Sequence, residues 1–238
     1  MNPKSVIRLY LFFARDVPHA VILRQGPSKV FRMILWNTDN DTFEDGQWLR
    51  HKVYHEHCSL SPDGRYFIYT ALNGKWDSIT KGSYTAISHP PYFTALALYP
   101  HGDMWSVGGG RFVGNNLYIL NTHSDVRDII GRAKDLTRVF QVEPTDQIAT
   151  GIVLADGGRA PLTQALREQI LEGDKWHPPL DRYDTKGGVL YRRRGMELTP
   201  IRDFTDMSFE PIRAPYDDRS DKEEIKPWHP LDQEEGKG

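Results

Sequence analysis

The turn punctuation of this chain limits its folding options more than any other feature. Short runs rich in Tyr, Phe, Ile, Val and Thr recur along it, separated by Gly, Pro, Asn and Asp. "AVILRQG" precedes "VFRMILW", Val30 to Trp36; "RYFIYTA" follows "SPDG", "SYTAIS" follows "TKG", and "FTALALYP" leads into "HGDMWSV". "NNLYIL" and "GGVLYRR" come later. Such runs, bounded by turn formers, read as strands, and many in succession read as a sandwich, barrel or propeller. The expected fold is mainly β, a small propeller-like or sandwich-like antiparallel architecture with one or two short helical insertions. One β-rich domain is expected over 1–213, with the helical insertion at about 124–173.

The stretch "HEHCSLSPDGRYFIYTAL", His55 to Leu72, holds the clearest hairpin. In its x-P-D-G turn, Pro62 presets φ and Gly64 accepts a positive φ. Leu60, Pro62 and Gly64 recur as Leu98, Pro100 and Gly102, an offset of 38 residues between 60 and 98. The same step back reaches Ile22 and Gly26, without the proline. A period near 40 residues fits a four-stranded propeller blade. "LSPDGRYFIYTA" resembles the turn between the first and second strands of blades in TolB-like or tryptophan-aspartate-repeat β-propellers. The resemblance covers Val21 to about Asn121, and the tryptophan-aspartate signature is absent at the blade ends. It implies a rigid platform for binding other proteins.

Two segments read as helices. "SDVRDIIGRAKDL" opens with Ser124 as N-cap and puts Val126, Ile129, Ile130 and Ala133 near one face. "PLTQALREQILEG" has Pro161 at a first helical position, Leu162, Leu166 and Ile170 in a stripe, and Gly173 as the stop. The last segment, 214–238, is charged and nearly without aliphatic residues, which predicts a disordered tail. Near the start, "SVIRLYLFFA" is interrupted by Arg8, is followed by Arg15–Asp16 rather than a small-residue cleavage site, and is too short to span a bilayer. It reads as a buried strand of a soluble, cytoplasmic protein. The single cysteine, Cys58, excludes an intramolecular disulfide and fits a reducing compartment. A formal net charge of −2 gives no electrostatic reason to expect nucleic acid or an anionic membrane as partner.

Candidate chemistry centres on "HKVYHEHC". On a strand, His55 and His57 share a face, and two imidazoles there are half of a zinc site, with His51, Asp63 or His101 as third ligand. The competing reading makes them polar edge residues, with Cys58 a small buried hydrophobe. There is no HExxH, no paired CxxC and no GxSxG. "SVGGGRF" lacks the following helix and Lys-Ser/Thr of a phosphate cradle and reads as a loop or bulge. "YRRRG", Tyr191 to Gly195, is flanked by Asp181, Asp184, Glu197 and Asp203 and reads as a salt-bridged surface.

A binding surface is expected from rigid aromatic loops. "HPPYF" combines two prolines with Tyr92 and Phe93, and Trp76, Trp105 and Trp48 fall near strand ends. The first functional expectation is a non-catalytic protein-binding module of immunity, inhibitor or scaffold type. Its surface is Tyr92, Phe93, Trp76 and Trp105, its partner another protein, and it has no cofactor. The alternatives are a metal-dependent hydrolase or lyase with zinc on His55 and His57, and a carbohydrate-binding module using Trp and Tyr near strand ends.

Overall fold

The computed structural model describes residues 6–27, 29–102, 108–122, 126–140, 151–153, 159–161, 163–173 and 175–217. The first sheet is an antiparallel meander of β1 (Arg8–Phe13), β2 (His19–Gln25), β3 (Phe31–Asn37) and β4 (Thr42–Leu49), paired in that order. The second sheet holds β5 (Lys52–Val53), β6 (Ser59–Leu60), β7 (Phe67–Leu72), β8 (Ser83–Ser88) and β9 (Ala95–Pro100). In it β5 and β6 both pair with β7, and β8 and β9 follow. The third comprises β10 (Gly110–Phe112), β11 (Leu117–Leu120), β12 (Thr137–Phe140), β13 (Gly151–Val153) and β14 (Arg159–Pro161), with β11 and β12 parallel and the other pairs antiparallel. After helix α1 (Gln164–Gly173) comes an antiparallel sheet of β15 (Tyr183–Asp184), β16 (Val189–Arg194) and β17 (Glu197–Asp203).

The mainly β expectation holds, and no closed propeller is formed among the described residues. Side-chain alternation explains how the sheets stack. From the first sheet, Val21, Leu23, Phe31 and Met33 face Phe67, Tyr69 and Ala86 of the second. Ala20, Ile22, Ile34 and Trp36 point the other way, against Leu190 of β16 and Phe204. The second sheet's far face, with Ile68, Ile87 and Tyr99, packs on Tyr118 and Leu120 of the third. The layers therefore run fourth, first, second, third. The 38-residue offset is not a structural period. One turn joins β6 to β7, the other follows β9, so the two copies hold non-equivalent places in one sheet. What they share is local, since Gly64 and Gly102 both have positive φ, 72° and 78°.

The helix predicted at 161–173 is α1, begun three residues late because Pro161 ends β14. Its buried Ile170 meets Val113, Leu117, Ile119 and Val139. The helix predicted from Ser124 does not form over 126–136, and Ser124 itself lies outside the described residues. There the main-chain N–H groups of Ile129 and Arg132 donate to the carbonyls of Leu98 and Leu96 in β9. Asp128 accepts from the N–H of Leu98, Ile130 and Gly131, and Gly131 takes φ 69°. The run "SVIRLYLFFA" supplies β1. No helix among the described residues is long and apolar enough to cross a membrane.

Two polar devices fasten the layers. Gln47 of β4 has no exposed surface; its Oε1 accepts from the N–H of Phe93 (2.7 Å) and Thr94 (2.9 Å), and its Nε2 donates to the Ile212 carbonyl (2.8 Å). Beside it, a Cβ on Gly46 would lie 1.9 Å from the Pro91 carbonyl oxygen. The second device is Arg24 and Arg32, both nearly fully buried. Arg24 donates to the Phe204 and Thr205 carbonyls, and Arg32 donates to the Gly46 carbonyl and to Glu210. Burial, and then the like charge of Arg32, pull the Arg24 guanidinium below its usual pKa.

The predicted tail is thus tied down over its first residues: Ala214 is buried, and Tyr216 donates to the Thr94 carbonyl (2.7 Å). Residues 218–238 lie outside the described residues. Removing Gln47 orphans two buried amides, each worth about 1–3 kcal/mol. Gln47→Ala is expected to cost about 3 kcal/mol and lower the thermal midpoint by about 6–12 °C. Gly46→Ala is expected to cost more, because a main-chain oxygen must move. Circular-dichroism melts read both, and an unchanged midpoint for Gln47→Ala would contradict this account.

Candidate functional site

The strand expected through His55 and His57 is interrupted, and strand register is the cause. Val53 pairs with Ala71 and Ser59 with Ile68, so the five residues 54–58 stand opposite only Tyr69 and Thr70. The excess leaves the ladder as a 3-10 turn, His55–His57, closed by the His57 N–H on the Tyr54 carbonyl and the Cys58 N–H on the His55 carbonyl. The two imidazoles therefore do not share a face. His55 stacks on Tyr10 of β1, ring centroids 3.6 Å apart, whereas His57 sits against Gly109, where a Cβ would come within 2.6 Å of the His57 Cβ.

The suggested third ligands are engaged elsewhere. His51 Nδ1 lies 3.0 Å from the Tyr84 hydroxyl, and His101 Nε2 is 2.8 Å from Thr85 Oγ1. Asp63 accepts from Ser61 Oγ and the Arg65 N–H. Among the described residues no group of three His, Cys, Asp or Glu is arranged to hold a metal. Burial pushes the Cys58 thiol far up, and its Sγ donates to the Tyr54 carbonyl at 3.4 Å.

The Tyr10–His55 stack forms one wall of a cleft of about 450 Å³. Four consecutive residues of β1, Leu9 to Phe12, line it, opposite Leu180, Tyr183, Asp184, Thr185 and Arg193 from the fourth sheet and its approach. Consecutive strand residues point to opposite faces. A cleft touching all four therefore runs along the strand's edge, and β1 is an edge strand of the first sheet. Tyr10 Oη donates to Gln25 Oε1 at 2.9 Å, which fixes the stacked ring. On the far wall Arg193 donates to Asp184 at 2.5 Å, and Leu180 keeps 51% of its surface exposed. The cleft offers apolar walls, an aromatic stack and one ion pair, beside a strand edge.

The remaining candidates scatter. Phe93 has no exposed surface: its N–H is held by Gln47 and its ring packs edge-on to Tyr69 at 5.2 Å, so it belongs to the core and not to a surface. Tyr92 is half-buried and donates to Glu44 at 3.2 Å. Trp76 is exposed on the β7–β8 loop, its ring laid over Gly82. Trp48 is buried between Arg24 and Arg32, and Trp105 lies outside the described residues. "YRRRG" carries ion pairs, Arg192 with Asp41 (2.8 Å) and Arg193 with Asp184. The glycines after Ser106 serve close approach: the Gly109 N–H donates to Thr85 Oγ1 at 2.7 Å, and a Cβ on Gly110 would lie 2.2 Å from the Ile119 carbonyl oxygen. Tyr10, Leu180 and Thr185 were not marked by any sequence motif; the only hint was the apolar run "SVIRLYLFFA", which identifies a strand but not a free edge.

No family model matches the chain, and neither a curated protein nor a solved structure does.

His55 has its pKa lowered, chiefly by burial, partly offset by Glu56, with His57 and Arg8 adding to the lowering. A histidine that prefers to be neutral when folded binds fewer protons there than in the unfolded chain. Its contribution to stability is therefore full above the unfolded value near 6.5 and is lost as pH falls toward the lower folded value. Wild type minus His55→Phe, which keeps a ring on Tyr10, is expected to show this loss in urea-denaturation midpoints between pH 7 and 5. A flat difference, or a His55 NMR titration midpoint above 6.5, would rule it out.

Proposed function

We propose that this chain is a non-catalytic module that binds another protein, and that the cleft along β1 is its docking site. One observation carries the reading: an edge strand opens into a recess whose far wall presents the exposed Leu180 beside the Asp184–Arg193 pair. Exposed apolar surface rimmed by polar groups is characteristic of interaction sites. A rigid stack of sheets suits a platform of this sort.

The test is affinity capture from lysate with the tagged chain, its Leu180→Asp variant and an Ile79→Asp control. Ile79 is similarly exposed, at 46%, and lies outside the cleft. A stoichiometric partner is expected with wild type and Ile79→Asp, and its recovery should fall at least tenfold with Leu180→Asp. A partner lost instead with Trp76→Ala or Tyr92→Ala moves the surface to the aromatic loops. Capture of no stoichiometric partner by the wild type removes the reading.

A further inference from the structure

Resting on that reading, we infer that the cleft captures an extended peptide segment of its partner, which adds to the first sheet as a strand along the outer edge of β1. The main chain supplies the first argument. In an antiparallel pair, residues whose N–H and C=O groups face the partner strand alternate with residues whose groups face away. The Ala14 N–H donates to the His19 carbonyl at 2.8 Å, one step beyond the Phe13–Ala20 pair. Counting back by twos, Phe12, Tyr10 and Arg8 bond to β2, and the main-chain groups of Phe13, Leu11 and Leu9 point outward. Among the described residues, no main-chain hydrogen bond other than those of the β1–β2 ladder ends on Leu9 or Leu11. These two residues line the cleft, so its floor is a row of main-chain donors and acceptors.

The walls argue for what fits there. The recess is bounded by the Tyr10–His55 stack on one side and by Leu180 and Arg193 on the other. A recess flanked on both sides of a strand edge suits a single extended chain better than the edge of a second folded sheet. A strand in it sends alternate side chains to opposite walls. One set meets Tyr10, Phe12 and His55, and apolar or aromatic side chains suit it. The other meets Leu180 and Arg193. Arg193 gives Asp184 one contact, through Nη2, and its side chain remains 43% exposed. A guanidinium has five N–H donors, so a carboxylate on the peptide completes that fork. The occupant is therefore an extended segment of apolar residues alternating with at least one acidic residue, held by main-chain bonds as in other strand additions.

The experiment uses the whole chain and a synthetic ten-residue peptide alternating Val and Glu, with fluorescence anisotropy as readout. Two further copies carry N-methyl groups on alternate amides, in the two possible registers, and one copy replaces Glu with Gln. One N-methylated register is expected to bind at least tenfold more weakly, the other about as well as the parent. Arg193→Gln should weaken the Glu peptide and leave the Gln peptide unchanged. By NMR hydrogen exchange, the Leu9 and Leu11 amides should exchange faster than those of Tyr10 and Phe12 in the free chain, and become protected on binding.

Equal binding of both N-methylated registers, or Leu9 and Leu11 amides as slow as Tyr10 in the free chain, overturns strand addition. So does a chain that binds none of the peptides. Where lysate capture still depends on Leu180, such a result leaves the protein-binding reading standing with a folded partner surface in place of a strand. Loss of both results removes both.

Discussion

The stacking of the first and second sheets depends on one side chain, Gln47. Sheet faces are held by apolar contact, which is strong but poorly directional; it would tolerate sliding of one layer over the other. Gln47 removes that freedom by gripping the N–H groups of Phe93 and Thr94 in the loop that leads into β9 of the neighbouring sheet, and the Ile212 carbonyl from the last described segment. Three chain segments far apart in sequence converge on one buried amide. The missing side chain at Gly46 lets the Pro91 carbonyl come close enough to accept from the Gln47 N–H at 3.0 Å.

The final described segment then works as a strap rather than a tail. It leaves β17 across the first sheet, where Arg24 donates to its Phe204 and Thr205 carbonyls and Arg32 donates to Glu210, and ends with Tyr216 on Thr94. Burying two guanidiniums is costly unless each is hydrogen-bonded. The strap supplies that compensation, and Trp48 lies near both, 5.3 Å and 5.1 Å from its ring centroid to the guanidinium carbons. A segment that satisfies two buried charges is held in place even though its composition is polar. Composition alone therefore does not distinguish the seated residues 214–217, where Ala214 is buried and Tyr216 is bonded to Thr94, from a loose segment.

What was legible in the sequence was local. The hairpin at "SPDG" forms as its chemistry dictates: the Gly64 N–H donates to the Ser61 carbonyl, and Ser61 Oγ accepts from the Tyr66 N–H. The strands of the first two sheets follow from their short β-forming runs bounded by turn residues. What depended on pairing was not legible. The turn at His55 arises from a surplus of residues against β7, a quantity defined only once the partner strand is known. Val126 and Ala133 satisfy helical spacing, yet the same residues pack equally well from an irregular segment bonded to β9. Phe93 sits in a proline-rich loop that looks exposed, and the hydrogen bond its N–H donates to Gln47 Oε1, 46 residues away in sequence, holds it inward.

The candidate cleft follows from how the first sheet treats its two edges. An unpaired edge invites association, and proteins cover or blunt it. The β4 edge is covered, because Gln47 bonds to Pro91 and the strap lies beyond it. The β1 edge is only flanked: the 3-10 turn carrying His55 approaches from one side and the Leu180–Thr185 stretch from the other, leaving a gap between them. The flanks are spaced apart by the same layering that builds the core, since one belongs to the sheet above and the other to the sheet below. A wider separation would leave β1 open to any edge, and a narrower one would bury it. On the strand-addition proposal, this gap is the space that a single extended chain takes beside β1. The four-layer stack, held in register by Gln47 and the strap, also sets this gap: the second and fourth layers carry its two flanks, so a shift of either would change the space beside β1.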